Sequence, residues 1–145
     1  MRPLRNSVAA ARFSGEERSF MAGIVVYTYA ACDSCRRAVT WLKAHGVSFV
    51  ERPIRESPPT KAELKRALAD RGGELRRLFN TSGQEYRAFG LSERLGSMSV
   101  PDALALLAGN GKLVKRPFLS APDYAVAGFD EETWRRRLVR GPAKG

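Results

Sequence analysis

The chain has only two cysteines and a single histidine in 145 residues. That scarcity excludes a secreted scaffold stapled by several disulfides. It also argues against a four-ligand zinc site built within one chain, since there is no second cysteine pair and His45 is the sole imidazole. Long apolar runs are missing as well. Nothing approaches the roughly eighteen consecutive apolar residues of a membrane-spanning helix, and no secretory hydrophobic region is evident. Neither a metal nor a membrane is expected, and a reducing cytoplasm is the expected setting. No internal repeat or low-complexity tract interrupts the chain.

Negative charge is the other shortage. Fifteen acidic residues face 25 basic ones, for a net charge of +10. The basic residues are distributed along the chain among Glu63, Asp70, Glu74 and Glu93, and aromatics do not alternate with them to form a stacking platform. Direct nucleic-acid binding is therefore not expected, and an acidic protein partner accounts for the charge equally well. Residues 1–20 carry Arg2, Arg5, Arg12 and Arg18 without helical or strand periodicity. They are expected to be a disordered or mis-assigned extension, with Met21 as initiator. The principal domain is expected over residues 21–140, followed by a disordered tail at 141–145.

Both cysteines fall in the run Tyr29-Ala-Ala-Cys32-Asp-Ser-Cys35-Arg36-Arg37. Upstream, Ile24-Val-Val-Tyr-Thr28 is β-branched and aromatic, as a buried strand should be. Downstream, Val39 and Leu42 recur at helical spacing, Gly46 supplies a stop, and His45 falls at the helix C-terminus, where a charge–dipole role is ordinary. A Cys-x-x-Cys pair at a strand-to-helix turn reads as a thioredoxin-like redox motif. Cys32 falls at the N-cap, where unpaired amides and the helix dipole favour a thiolate, and Arg36 and Arg37 add positive charge. Cys35 shares the apolar face with Val39 and Leu42. One exposed attacking sulfur and one partly buried resolving sulfur result, suited to forming and releasing a mixed disulfide. A static structural disulfide would add little, because so short a loop hardly constrains the unfolded chain.

The rest of the chain alternates elements. Val47 to Glu51 reads as a second strand, and 54–59 as a linker fixed by Pro58-Pro59. Thr60-Lys-Ala-Glu63 is a capping box opening a helix that runs to Gly72-Gly73, with Leu64 and Leu68 inward. Leu75, Leu78 and Phe79 suggest a short turn, and Tyr86, Phe89 and Leu91 another packed piece. Ser99 to Asp102 caps a helix carrying Leu104 and Leu107. A strand over 113–120 and a partner over 124–128 follow. Asp130 caps the last helix, with Trp134 and Leu138 inward. The order β-α-β, helical insertion, β-β-α defines an α/β, thioredoxin-like fold.

These elements together resemble the arsenate reductase-like family, which includes glutaredoxin-coupled arsenate reductases and Spx-type regulators. The resemblance spans about Val25 to Leu138 and is carried by Tyr27-Thr-Tyr-Ala-Ala-Cys32, Arg36, Pro58-Pro-Thr-Lys-Ala-Glu-Leu64, Asn80-Thr-Ser-Gly-Gln-Glu-Tyr-Arg87 and Lys115-Arg-Pro117. It implies an active cysteine at Cys32, an arginine at Arg116 facing it, and a cis Arg116–Pro117 peptide. Ser34, Arg36, Asn80, Arg87 and Pro117 are the accompanying candidates for substrate contact. A salt bridge to a neighbouring carboxylate is the ordinary alternative for Arg116, and a solvated surface position for Arg87.

The departures from the family pattern are informative. Arsenate reductases of this family set three arginines around the oxyanion. Here the first matches Arg116, the second falls on Asn80, and the third falls within 125–127, which holds no arginine. Two lost guanidiniums argue against efficient arsenate reduction, and Arg87 is the candidate substitute. Cys35 is the second departure, absent from most glutaredoxin-coupled reductases but matching the Cys-x-x-Cys switch of Spx-type regulators. The resulting expectation is a thiol–disulfide redox protein with Cys32 as nucleophile and Cys35 as resolving thiol. It would be coupled to glutathione and glutaredoxin or to thioredoxin, with no cofactor beyond glutathione as co-substrate. The alternative is an Spx-type redox-switched regulator binding the C-terminal domain of the RNA polymerase α subunit.

Overall fold

The computed structural model describes residues 23–139. The extension expected over 1–20 and the tail expected over 141–145 lie outside these residues. Strand β1 (Val25–Thr28) leads into helix α1 (Asp33–Ala44), which returns the chain to strand β2 (Val50–Pro53). Then come α2 (Lys61–Asp70), a 3-10 turn (Leu75–Leu78), α3 (Gln84–Ala88), α4 (Leu91–Arg94), a further 3-10 turn (Leu95–Ser97) and α5 (Val100–Gly109). A last 3-10 turn (Gly111–Leu113) precedes strands β3 (Phe118–Ser120) and β4 (Ala125–Ala127), and α6 (Glu131–Leu138) closes the domain. The sheet order is β2-β1-β3-β4, with β1 and β2 parallel and the other neighbours antiparallel.

Strand alternation divides the core into two layers. Tyr27, Phe118 and Ala127, paired across the sheet, face a cluster with Leu64, Leu68 and the helical insertion. Val26, Leu119 and Val126 face the opposite cluster, with Ala38, Leu42, Trp41, Trp134 and Leu138. The capping box forms as expected: the Thr60 hydroxyl accepts from the Glu63 amide, and the Glu63 carboxylate accepts from the Thr60 amide at 2.8 Å. That carboxylate also accepts from Tyr27 Oη (2.9 Å) and Ser120 Oγ (2.7 Å), tying α2 to two strands. Trp134 and Leu138 are buried on α6, and Asp130 is its N-cap.

Three expectations are corrected. The second strand is Val50–Pro53 rather than 47–51. Val47 is taken up by the helix exit, its amide donating to the Leu42 carbonyl, while Val47 and Phe49 pack on the α1 side of the core. The strand over 113–120 is confined to Phe118–Ser120. Upstream of it, the Asn80 amide donates to the Leu113 carbonyl and the Lys115 amide to the Leu78 carbonyl, so that stretch pairs with the insertion instead; Pro117 has no N–H for a ladder. Finally, Phe89 is 38% exposed. Gly90 in the left-handed region (φ 63°) breaks the segment into α3 and α4 and turns Phe89 outward.

Candidate functional site

The site lies at the carboxyl ends of β1 and β2, the end of a parallel pair where an α/β sheet opens a crevice. Cys32 is the N-cap of α1 in extended conformation, and its Sγ accepts from the Cys35 amide at 3.3 Å. Ser34 Oγ lies 3.4 Å from the same sulfur. The first turn of the helix thus aims the Cys35 amide at the Cys32 sulfur, the geometry that favours an anion. Cys35 is 2% exposed in the layer beneath, whereas Cys32 is partly open to solvent. The Arg116–Pro117 peptide is cis, as the resemblance implies.

The two thiols are driven apart in acidity. Partial burial works against charge on Cys32, but the Cys35 thiol, the Ser34 hydroxyl, the Cys35 amide and the Arg116 guanidinium outweigh it, and the Cys32 thiol sits below its ordinary value. Burial, together with the neighbouring Cys32 sulfur, pushes Cys35 up to about 12. The pair therefore sets a sulfur whose thiolate is favoured beside a thiol that keeps its proton. Both are free cysteines here rather than a bridged pair.

Cationic support comes from a residue far away in sequence. Arg116 stands 4.8 Å from the centroid of the Tyr29 ring and makes no ion pair with a carboxylate among the described residues. Arg36 is turned elsewhere, donating to the Ala30 carbonyl (2.9 Å) and pairing with Asp33. Pro117 is buried directly before β3. Asn80 is half-buried, its amide bonded to Leu113 on the strand-like segment leading toward Arg116. Arg87 is exposed and donates to the Ser82 carbonyl just ahead of α3 (3.1 Å) rather than to Cys32. The structure thus gathers Cys32, Ser34, Cys35 and Arg116, and orients Arg36 and Arg87 toward other partners. His45 caps α1, its Nδ1 2.9 Å from the Trp41 carbonyl and its ring stacked on Trp41.

Sequence reasoning missed Arg55. Its guanidinium lies 3.9 Å from the centroid of the same Tyr29 ring that Arg116 approaches. The available signal was positional: Tyr29 follows β1 and Arg55 closely follows β2, and adjacent parallel strands bring their carboxyl ends together.

A thioredoxin-like domain with an N-capping cysteine and a buried second thiol defines a thiol redox protein. Residues 27–137 match the ArsC family model, and the chain belongs to that family. It is 41% identical over 109 residues to the uncharacterized protein YusI of Bacillus subtilis, covering 75% of this chain and 92% of that one. Identity to the global transcriptional regulator Spx of Enterococcus faecalis is 30% over 117 residues, covering 81% of this chain and 87% of the relative. Among solved structures, an ArsC family related protein from Bacteroides fragilis superposes with a TM-score of 0.73 at 35% identity, covering 80% of this chain and 98% of the other. No helix among the described residues is long and apolar enough to cross a membrane.

Proposed function

We propose that this protein is a thiol–disulfide reductase that uses Cys32 as nucleophile and Cys35 as resolving thiol, recharged by glutathione and glutaredoxin or by thioredoxin. The observation that carries this reading is the split between the two sulfurs. Cys32 is a partly open N-cap held in thiolate-favouring contacts, and Cys35 is a buried protonated thiol in contact with it. In the first step the Cys32 thiolate attacks one sulfur of a substrate disulfide and expels the other as a thiolate. Cys35 then attacks Cys32, its proton passing to the departing thiolate, and a Cys32–Cys35 disulfide is left. The substrate gains two electrons, and a cellular thiol or dithiol returns them to the protein.

The test is NADPH consumption coupled to either reducing system, with small disulfides and with arsenate as separate acceptors. Turnover is expected to fall to background in Cys32→Ser, and Cys35→Ser is expected to accumulate a mixed disulfide visible by intact mass. Full turnover in Cys32→Ser would refute the assignment. The Spx relative supports a second reading, in which the same pair switches affinity for the RNA polymerase α subunit. In that case a pull-down distinguishes oxidised from reduced protein, and equal capture by both forms rules it out.

A further inference from the structure

Arg55 is held at the site by backbone packing that leaves its guanidinium unclaimed. The Ile54 amide donates to the Thr28 carbonyl at 2.9 Å, and the Ile54 side chain is fully buried. Gly111 presses against the same peptide: a Cβ there would fall 1.9 Å from the Ile54 carbonyl oxygen and 2.9 Å from Arg55 Cα. Only glycine permits that approach. The base of Arg55 is thereby fixed from both sides, and the side chain reaches the Tyr29 ring. Among the described residues it has neither a carboxylate within 4.0 Å nor a hydrogen-bond acceptor.

Arg116 shares that ring and is likewise without a carboxylate. Their guanidinium carbons are 3.9 and 4.8 Å from one centroid, so their separation cannot exceed those two distances laid end to end. Tyr29 is bonded to the reactive turn itself, its carbonyl accepting from the Cys32 amide at 3.1 Å. Two guanidiniums thus share one aromatic ring on the turn that carries the reactive sulfur, Arg116 supporting Cys32 and Arg55 keeping its edge donors free. Stacking orients the planar guanidinium while leaving its edge donors available for a carboxylate.

We infer that Arg55 is a specificity-determining residue that binds an anionic group of the substrate, so that the preferred substrate is a disulfide carrying a carboxylate a few bonds from its sulfur. This rests on the reductase reading above. In the same exchange, Arg55 holds the carboxylate while the Cys32 thiolate takes one sulfur and the other leaves as a thiolate.

The experiment follows oxidation of the reduced full chain by three disulfides of matched backbone: 3,3′-dithiodipropionate (anionic), 2-hydroxyethyl disulfide (neutral) and cystamine (cationic). The ratio of parent to Arg55→Ala rate is taken for each, which cancels intrinsic disulfide reactivity. Arg55→Ala should slow the anionic probe about fivefold or more, as loss of a charge-assisted contact predicts, with the neutral probe nearly unchanged and cystamine unchanged or faster. Arg55→Lys should recover part of the loss. An altered thiolate fraction at Cys32 would instead move all three together. Equal ratios across the three probes would overturn the role of Arg55 while leaving the reductase standing; failure of the parent protein to react with any of them would overturn both.

Discussion

Glu63 and Cys32 both gather hydrogen-bond donors beside β1, but the donors around Glu63 are consumed within the protein, whereas Arg55, which shares the Tyr29 ring with Arg116, keeps its donors free among the described residues. The Glu63 carboxylate accepts from Tyr27, Ser120 and the Thr60 amide, locking α2 onto the sheet. Burial works against its charge, but these donors prevail and hold it below the ordinary carboxylate value. Burial and the same carboxylate push Tyr27 up to about 12. At Cys32, by contrast, a partly open sulfur sits among an amide, a hydroxyl and Arg116, with Arg55 close by on Tyr29. A satisfied cluster gives rigidity and an incompletely satisfied one gives binding and reactivity. Both are anchored through β1, the first by Tyr27 within it and the second by the turn that follows it.

Breaking the satisfied cluster should have the largest effect on stability. Glu63→Ala leaves Tyr27 and Ser120 hydroxyls without their acceptor in a buried layer, and should cost about 2–4 kcal/mol in chemical denaturation. The rate of Cys32 alkylation per folded molecule should stay within about twofold, because the two clusters share no side chain. The pH dependence follows from the direction of the shift. The folded value lies below the unfolded one, so the stabilisation is complete above the unfolded carboxylate pKa of about 4.3. It is lost as pH falls through the folded value. Urea midpoints taken downward from pH 7 should therefore drop more steeply in the parent protein than in Glu63→Gln.

Removing a cation from the open cluster should act the other way round. Arg116→Gln withdraws a guanidinium that favours the Cys32 thiolate, so the alkylation pH profile should shift upward and the rate at pH 7 should fall several-fold. Stability should change by less than about 1 kcal/mol, since no ion pair among the described residues is broken. An unmoved profile would leave thiolate support to the Cys35 thiol, the Ser34 hydroxyl and the Cys35 amide. Still smaller is the expected effect of Arg87→Ala. Its guanidinium bonds to the Ser82 carbonyl on an exposed loop, so rates with anionic and neutral disulfides should change alike and by less than about twofold.

The legible parts of this molecule were those that local chemistry decides. Thr60 and Glu63 stand at capping-box spacing, and the box forms. Cys32 and Cys35 stand at the strand-to-helix turn, and one caps the helix while the other is buried in it. Trp134 and Leu138 stand one turn apart and both enter the core. What the sequence concealed depends on long-range partners. β2 is an edge strand whose Val50 is 56% exposed, so no apolar alternation marked its start. Ile54, read as part of a linker, is fully buried because Gly111 lets a distant turn close over it. Arg36 looked well placed to support the thiolate, yet Asp33 one turn back holds it. Arg55 enters the site only because two strand ends lie side by side.

The most direct test of the account is the pH dependence of alkylation at each cysteine, followed by mass spectrometry of peptides after brief exposure to iodoacetamide. Cys32 should react with a midpoint below the ordinary cysteine value of about 8.5, while Cys35 stays unmodified through the same range. Equal modification of both cysteines, rising together near that ordinary value, would contradict the division into nucleophile and resolving thiol on which the proposed function rests.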